Sequence, residues 1–146
     1  MVGVGNELNG DDAAGNQVAA RLLARSGFPE HFLPILAGAI PENASGPLRR
    51  FRADLVIMID AADFSGTVGE IRWLNGADIG GFSASSHTLP LPVLGHYLEE
   101  ELNCRVEYLG IQPAQLEFGS DLTAEVEQAV RELVNVISNK FGEKNR

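Results

Sequence analysis

The run Leu55-Val56-Ile57-Met58-Ile59, closed off by Asp54 on one side and Asp60 on the other, constrains this chain more than any other stretch. A strand with one face in water alternates apolar and polar residues. This one does not alternate, so both of its faces must be covered. Covering both faces of a sheet takes helices on both sides, an arrangement that arises when strands and helices alternate along the chain. The remaining sequence must supply those helices and the neighbouring strands. With 146 residues, 45% of them hydrophobic, it has the length for one domain with a substantial core.

The alternation is legible from end to end. Met1 to Gly5 predicts a first strand, and Asp11 to about Ser26 a helix. Asp11 is its natural N-cap, Val18, Leu22 and Leu23 give it an apolar stripe, and Gly27 ends it. Phe32 to Leu36 predicts a second strand, Gly38 to Asn43 a loop, and Pro47 to Phe51 a short basic helix. Glu70 to Leu74 reads as a shorter strand nearer an edge. Pro90 and Pro92 start a helix through about Leu102, with Val93, Leu94, Tyr97, Leu98 and Leu102 as its buried face. Val106 to Ile111 is the last strand, and Leu122 to about Phe141 a long amphipathic helix. The expected architecture is α/β: a single domain over 1–146, with a twisted, mostly parallel sheet of about five strands and helices on both faces. Residues 142–146 read as a frayed polar tail.

Composition removes several function classes. A net charge of −9 argues against a nucleic-acid partner, which would need clustered Lys and Arg. The one basic cluster, Arg49, Arg50 and Arg52, reads as a solvated helix face. A single cysteine, Cys104, rules out an internal disulfide and a cysteine-based zinc site. Its neighbours Leu102 and Val106 predict a partly buried structural thiol. No apolar run approaches the roughly 20 residues of a membrane helix. The N-terminus also lacks the basic region and apolar core of a signal peptide. A cytoplasmic protein, without membrane insertion, is the expectation.

The opening stretch, Val2-Gly3-Val4-Gly5-Asn6-Glu7-Leu8-Asn9-Gly10-Asp11-Asp12, runs from a strand through a glycine-punctuated turn to a helix start. Phosphate loops have this outline, with backbone N–H groups and a positive helix end facing the anion. Here Asp11 and Asp12 already occupy that end, and the third glycine of G-x-G-x-x-G falls on Leu8. A Rossmann-like nucleotide-binding module is therefore disfavoured. A carboxylate at a strand tip suits a cation.

Three polar residues stand where the crevice of an open α/β sheet forms: Asp12 after the first strand, Asp60 after the central strand, and His87 in the loop Ser85-Ser86-His87-Thr88. Two carboxylates and an imidazole can hold a divalent transition metal and leave positions open for further donors. Each has a plainer reading. Asp12 can be a first-turn acid favoured by the helix dipole, Asp60 a turn-capping loop acid, and His87 a structural or solvated histidine. A triad from Ser85 or Ser86 lacks a G-x-S-x-G elbow. His31 and His96 read as surface residues and Glu7 as a solvated loop position. Asp63 either caps its turn or supports the site from behind.

Taken in order, five segments resemble the hydrogenase maturation protease family, the endopeptidases that trim nickel-iron hydrogenase large subunits. Gly5-Asn6-Glu7-Leu8-Asn9-Gly10-Asp11-Asp12 resembles the family's opening loop, and Ala39-Ile40-Pro41-Glu42-Asn43 its second loop. Ile59-Asp60-Ala61-Ala62-Asp63 matches the acidic end of its central strand, and Ser86-His87-Thr88-Leu89-Pro90-Leu91 its histidine loop. Leu109-Gly110-Ile111-Gln112-Pro113 is similar to the end of its last strand, in the branch serving formate-linked or energy-converting hydrogenases. Many members carry glycine at the position of Ala13, and more residues ahead of Gly5. The resemblance implies that Asp12, Asp60 and His87 are both the metal-contacting and the catalytic residues. It also implies no permanent cofactor: nickel arrives with the substrate, a [NiFe]-hydrogenase large-subunit precursor, although another divalent metal can occupy the site in vitro. Cleavage of a C-terminal extension by a monomeric, aspartic-type peptidase is the implied activity. A non-catalytic checkpoint that binds the metallated precursor would carry the same three residues.

Overall fold

The computed structural model describes residues 1–76 and 89–142. Its strands are β1 (Val2–Val4), β2 (Ile35–Gly38), β3 (Leu55–Ala61), β4 (Ile71–Leu74) and β5 (Arg105–Ile111). Its helices are α1 (Ala14–Leu23), α2 (Ser45–Phe51), α3 (Leu91–Leu102) and α4 (Ala124–Phe141), with 3-10 turns at Gly10–Ala13 and Pro41–Ala44. The strands form one sheet in the order β2-β1-β3-β5-β4. Every neighbouring pair is parallel except β4 against β5.

The apolar run is the middle of this sheet. β3 pairs with β5 without interruption from Leu55↔Arg105 to Ala61↔Ile111, and with β1 on its other side. It continues past Ile59 because Gly110 and Ile111 extend the ladder, so Asp60 is a strand residue. Alternate side chains divide between two cores. Val56 and Met58 pack with Leu48 of α2 and Leu94 and Leu98 of α3. Ile57 and Ile59 face Val18 and Leu22 of α1 and Val126 and Val130 of α4. The sheet is covered on both faces, as its central strand requires.

α1 lies directly on the sheet because two glycines meet there. A Cβ on Gly3 would strike the carbonyl of Gly15, and one on Gly15 would strike the carbonyls of Val4 and Ile59. This contact sets the height of the α1 N-terminus, and of the turn before it, above the strand ends.

Four local expectations are corrected. The helix predicted from Asp11 begins as a 3-10 turn, no side chain caps it, and α1 ends at Leu23 rather than at Gly27. Ala13 is comfortable in that turn, with helical backbone angles of φ −74° and ψ −7°. β2 begins at Ile35, later than predicted; Phe32 instead packs between Phe28 and Phe141, with ring centroids 4.8 and 4.9 Å away. In α3 the buried face is Leu91, Leu94, Gly95 and Leu98, whereas Val93 and Tyr97 are exposed. Gly95 is buried because the Tyr108 ring occupies the space a side chain would need. The expected tail lies, beyond Gly142, outside the described residues.

Candidate active site

The strand order reverses between β1 and β3: the chain steps from β1 outward to β2, then returns to place β3 on the other side of β1. At such a point the connections leave in opposite directions and open a crevice at the carboxyl ends of the strands. Asp12 and Asp60 border it. Gly3 pairs with Ile59, which sets Asp60 beside the end of β1. Gly5 follows β1 with φ +143° and no side chain, and the backbone of Asp12 folds down against it. Both carboxylate residues are buried, Asp12 at 3% and Asp60 at 5% exposure. The Asp12 Oδ2 accepts the N–H of Asn6 at 3.1 Å, and its own N–H donates to the Asn9 carbonyl at 3.1 Å, closing the 3-10 turn. Asp60 lines a narrow cleft with Met58, Ala62, Leu74, Leu91 and Tyr108.

His87 lies outside the described residues, as do Ser85 and Ser86. Among the described residues no three His, Cys, Asp or Glu side chains are grouped to hold a metal ion. Two carboxylates are thus in place at neighbouring strand ends. The sequence after the cleft residue Leu74 runs through His87 to the cleft residue Leu91.

Three buried polar side chains outside the predicted trio shape this end of the sheet. Asp11 is fully buried and caps nothing in its own helix. Its Oδ2 accepts the N–H groups of Ala114 (2.8 Å) and Gln115 (3.2 Å), and its Oδ1 that of Thr123 (2.7 Å). The Thr123 hydroxyl donates to the same carboxylate at 3.0–3.1 Å. Thr123 is the N-cap residue of α4, so this negative charge complements the positive end of the longest helix. Asn16 is also fully buried, donating to the Gly5 carbonyl and accepting the Gly38 N–H at 3.2 Å, which ties the ends of β1 and β2 together. Gln112, just past β5, holds the turn after β3: its Oε1 accepts the N–H groups of Phe64 and Gly66, each at 3.0 Å. Asn16 carried a usable signal, an amide interrupting the small and apolar face of a helix. Asp11 and Gln112 carried none beyond their loops.

The remaining candidates settle simply. Asp63 caps its turn, accepting the Ser65 N–H at 3.0 Å and the Gln112 side-chain amide at 3.1 Å. Those two donors, Ser65 foremost, hold its carboxyl below the usual range. His31 and Glu7 are exposed, and so is His96, 3.3 Å from Glu100. Arg49 pairs with Glu101 at 2.6 Å, while Arg50 and Arg52 are exposed, so the basic cluster is a solvated helix end. Cys104 is half-buried, its thiol donating to the Leu98 carbonyl at 3.5 Å and pushed up chiefly by burial.

A mostly parallel α/β sheet with acidic strand ends at its switch point defines a class of protein, and comparison places the chain within it. The HycI hydrogenase maturation protease profile matches residues 17–140. The Escherichia coli hydrogenase 3 maturation protease is 34% identical over 128 residues, covering 87% of this chain and 80% of the relative. The crystal structure of the [NiFe] hydrogenase maturation protease HycI from Thermococcus kodakarensis superposes with a TM-score of 0.84 at 30% identity, covering 94% of this chain and 88% of that one. The solution structure of the endopeptidase HycI from Escherichia coli gives 0.81 at 30% identity, covering 97% and 90%. The chain belongs to the hydrogenase maturation protease family, and is an endopeptidase. Among the described residues no helix is long and apolar enough to cross a membrane.

Proposed function

We propose that this protein removes the C-terminal extension of a [NiFe]-hydrogenase large-subunit precursor after nickel insertion, and that the nickel of the substrate is what the site recognises. The observation that carries this reading is the burial of Asp12 and Asp60 at the ends of two neighbouring strands on either side of the switch point. Family membership supplies the peptide bond as target. In this reading Asp12, Asp60 and His87 complete the coordination of an ion that the precursor brings, so the protein needs no resident cofactor. Coordination fixes the precursor's tail in the crevice. The ion polarises the scissile carbonyl or a water as a Lewis acid, and one of the two carboxylates takes the proton as general base. Selectivity follows from the same contact, since a precursor without nickel has nothing to hold its tail in place. The enzyme works as a monomer in the cytoplasm.

Purified protein incubated with nickel-loaded precursor should shift the precursor's mass by the length of the tail. Asp12→Ala and His87→Ala should each abolish that shift while retaining the wild-type circular dichroism spectrum. Normal processing by both variants would sink the assignment. Binding of the metallated precursor without any mass change would favour a non-catalytic checkpoint.

A further inference from the structure

The loops at the carboxyl end of the parallel strands, residues 5–13, 39–44, 62–70 and 112–123, contain no lysine or arginine. They do contain the exposed carboxylates Glu7, Asp63, Glu117 and Asp121. Within this acidic surface three large apolar side chains stand in water, Leu8, Ile40 and Phe118. Phe118 is 80% exposed and Leu8 58%, and the Gly119 N–H donates to the Leu8 carbonyl at 2.7 Å, so the two lie on joined loops.

The Phe118 loop is braced. Gln115 accepts the N–H of Glu117 at 2.8 Å and donates to the Asp121 carbonyl at 3.0 Å, and Ser120 donates to the Glu117 carbonyl at 3.2 Å. A loop backbone fixed in this way has less entropy to lose on binding than a free one. Beside it opens a cavity of about 330 Å³, lined in part by Glu7, Asp121, Gln17 and the Arg21–Glu127 pair. Arg21 is committed to Glu127 through two bonds of 2.8 and 2.7 Å, which leaves Glu7 and Asp121 as its uncommitted charges.

We infer that Leu8 and Phe118, with the carboxylates around them, form a docking surface for a basic segment of the precursor, distinct from the crevice where Asp12 and Asp60 lie. The segment presents an apolar side chain to Phe118 and Leu8, and lysine or arginine to Glu7, Glu117 and Asp121. This inference rests on the precursor being the substrate. Charge selects the occupant. A second copy of this chain, at net charge −9, would bring its own carboxylates against these, and an anionic membrane surface would be repelled likewise.

The test uses full-length protein and the purified nickel-loaded precursor, with affinity measured by interferometry and turnover by mass spectrometry. Leu8→Ser with Phe118→Ser should weaken binding and raise KM about tenfold or more, with kcat and melting temperature close to wild type. Glu117→Lys with Asp121→Lys should also weaken binding, and should abolish the loss of affinity that the wild type shows as salt is raised. Unchanged affinity in both double variants overturns the inference while leaving the proposed activity standing if trimming persists. Weakened binding in the variants without trimming by the wild type supports the surface and refutes the activity. Self-association of the wild type that Leu8→Ser with Phe118→Ser removes would assign the surface to a second copy and overturn the choice of occupant. Failure of the wild type to bind the precursor overturns it as well.

Discussion

Asp11→Ala should destabilise this protein by about 3 kcal/mol, although the residue touches no expected substrate atom. The figure comes from its hydrogen bonds. Truncation leaves three backbone N–H groups, of Ala114, Gln115 and Thr123, without the acceptor they now share. A buried donor left unsatisfied costs about 1–3 kcal/mol. These loops are only part-buried, so water reaches some of the donors, and the lower end of the range applies to each. The Thr123 hydroxyl adds little, because it can rotate to another acceptor. Asp11→Asn should lose about half as much: it keeps one carbonyl acceptor but turns an amide donor toward another donor. Equilibrium urea unfolding at pH 7 measures this, with an unchanged m-value excluding a shift in the unfolded state. For a chain of this size the expected fall in melting temperature is about 6–12 °C. A loss below about 1 kcal/mol in Asp11→Ala would refute the accounting. An Asp11→Asn variant more stable than wild type would show instead that the buried charge is a net cost.

Two further outcomes test other parts of the fold. Gly15→Ala places a Cβ against the carbonyls of Val4 and Ile59, neither of which can move without its strand, so it should cost about 1–3 kcal/mol despite alanine's better helix propensity, and an unchanged melting temperature would contradict the close approach. The Tyr108 phenol is pushed up to about 12, chiefly by burial and then by the charges of Glu99 and Glu107. The fold thus favours the neutral phenol, so its contribution to stability is intact below the unfolded value of about 10 and is lost as pH rises from there toward 12. Ultraviolet titration should show a late phenolate step that Tyr108→Phe removes; complete ionisation by pH 10 in the folded protein would contradict it.

The sheet was legible because its signal is long and redundant. Leu55–Ile59 could only be a strand covered on both faces, and the helical stripes on either side supplied the covers. Where the reading slipped, side chains of the right type served another purpose. Phe32 looked like strand material but packs between two other phenylalanines, and Val93 and Tyr97 lie one turn apart on α3 yet face water. Periodicity finds a stripe; it does not decide which of two adjacent stripes the core takes when a glycine such as Gly95 admits a ring from the sheet. The acidic opening loop was legible as a carboxylate-bearing strand end, and Asp60 as its neighbour across the crevice. The division of labour between Asp11 and Asp12 was not. Successive residues of a 3-10 turn point about 120° apart, so two identical neighbours face different surroundings that only the folded chain identifies.

The register of β3 bears on how the two acidic strand ends behave in time. Seven consecutive pairs join β3 to β5 without a shift, while β1 has only three residues and breaks step with β2 between Gly3 and Val4. Asp60 therefore sits on the longest unbroken ladder among the described residues, whose amides should exchange with solvent only on global opening. Asp12 stands on a short strand and a tight turn, steadied by the bonds of the residue before it. The crevice is thus a vice with one cast jaw and one screwed jaw. Any change in the spacing of the two carboxylates falls to the side that Asp11 clamps.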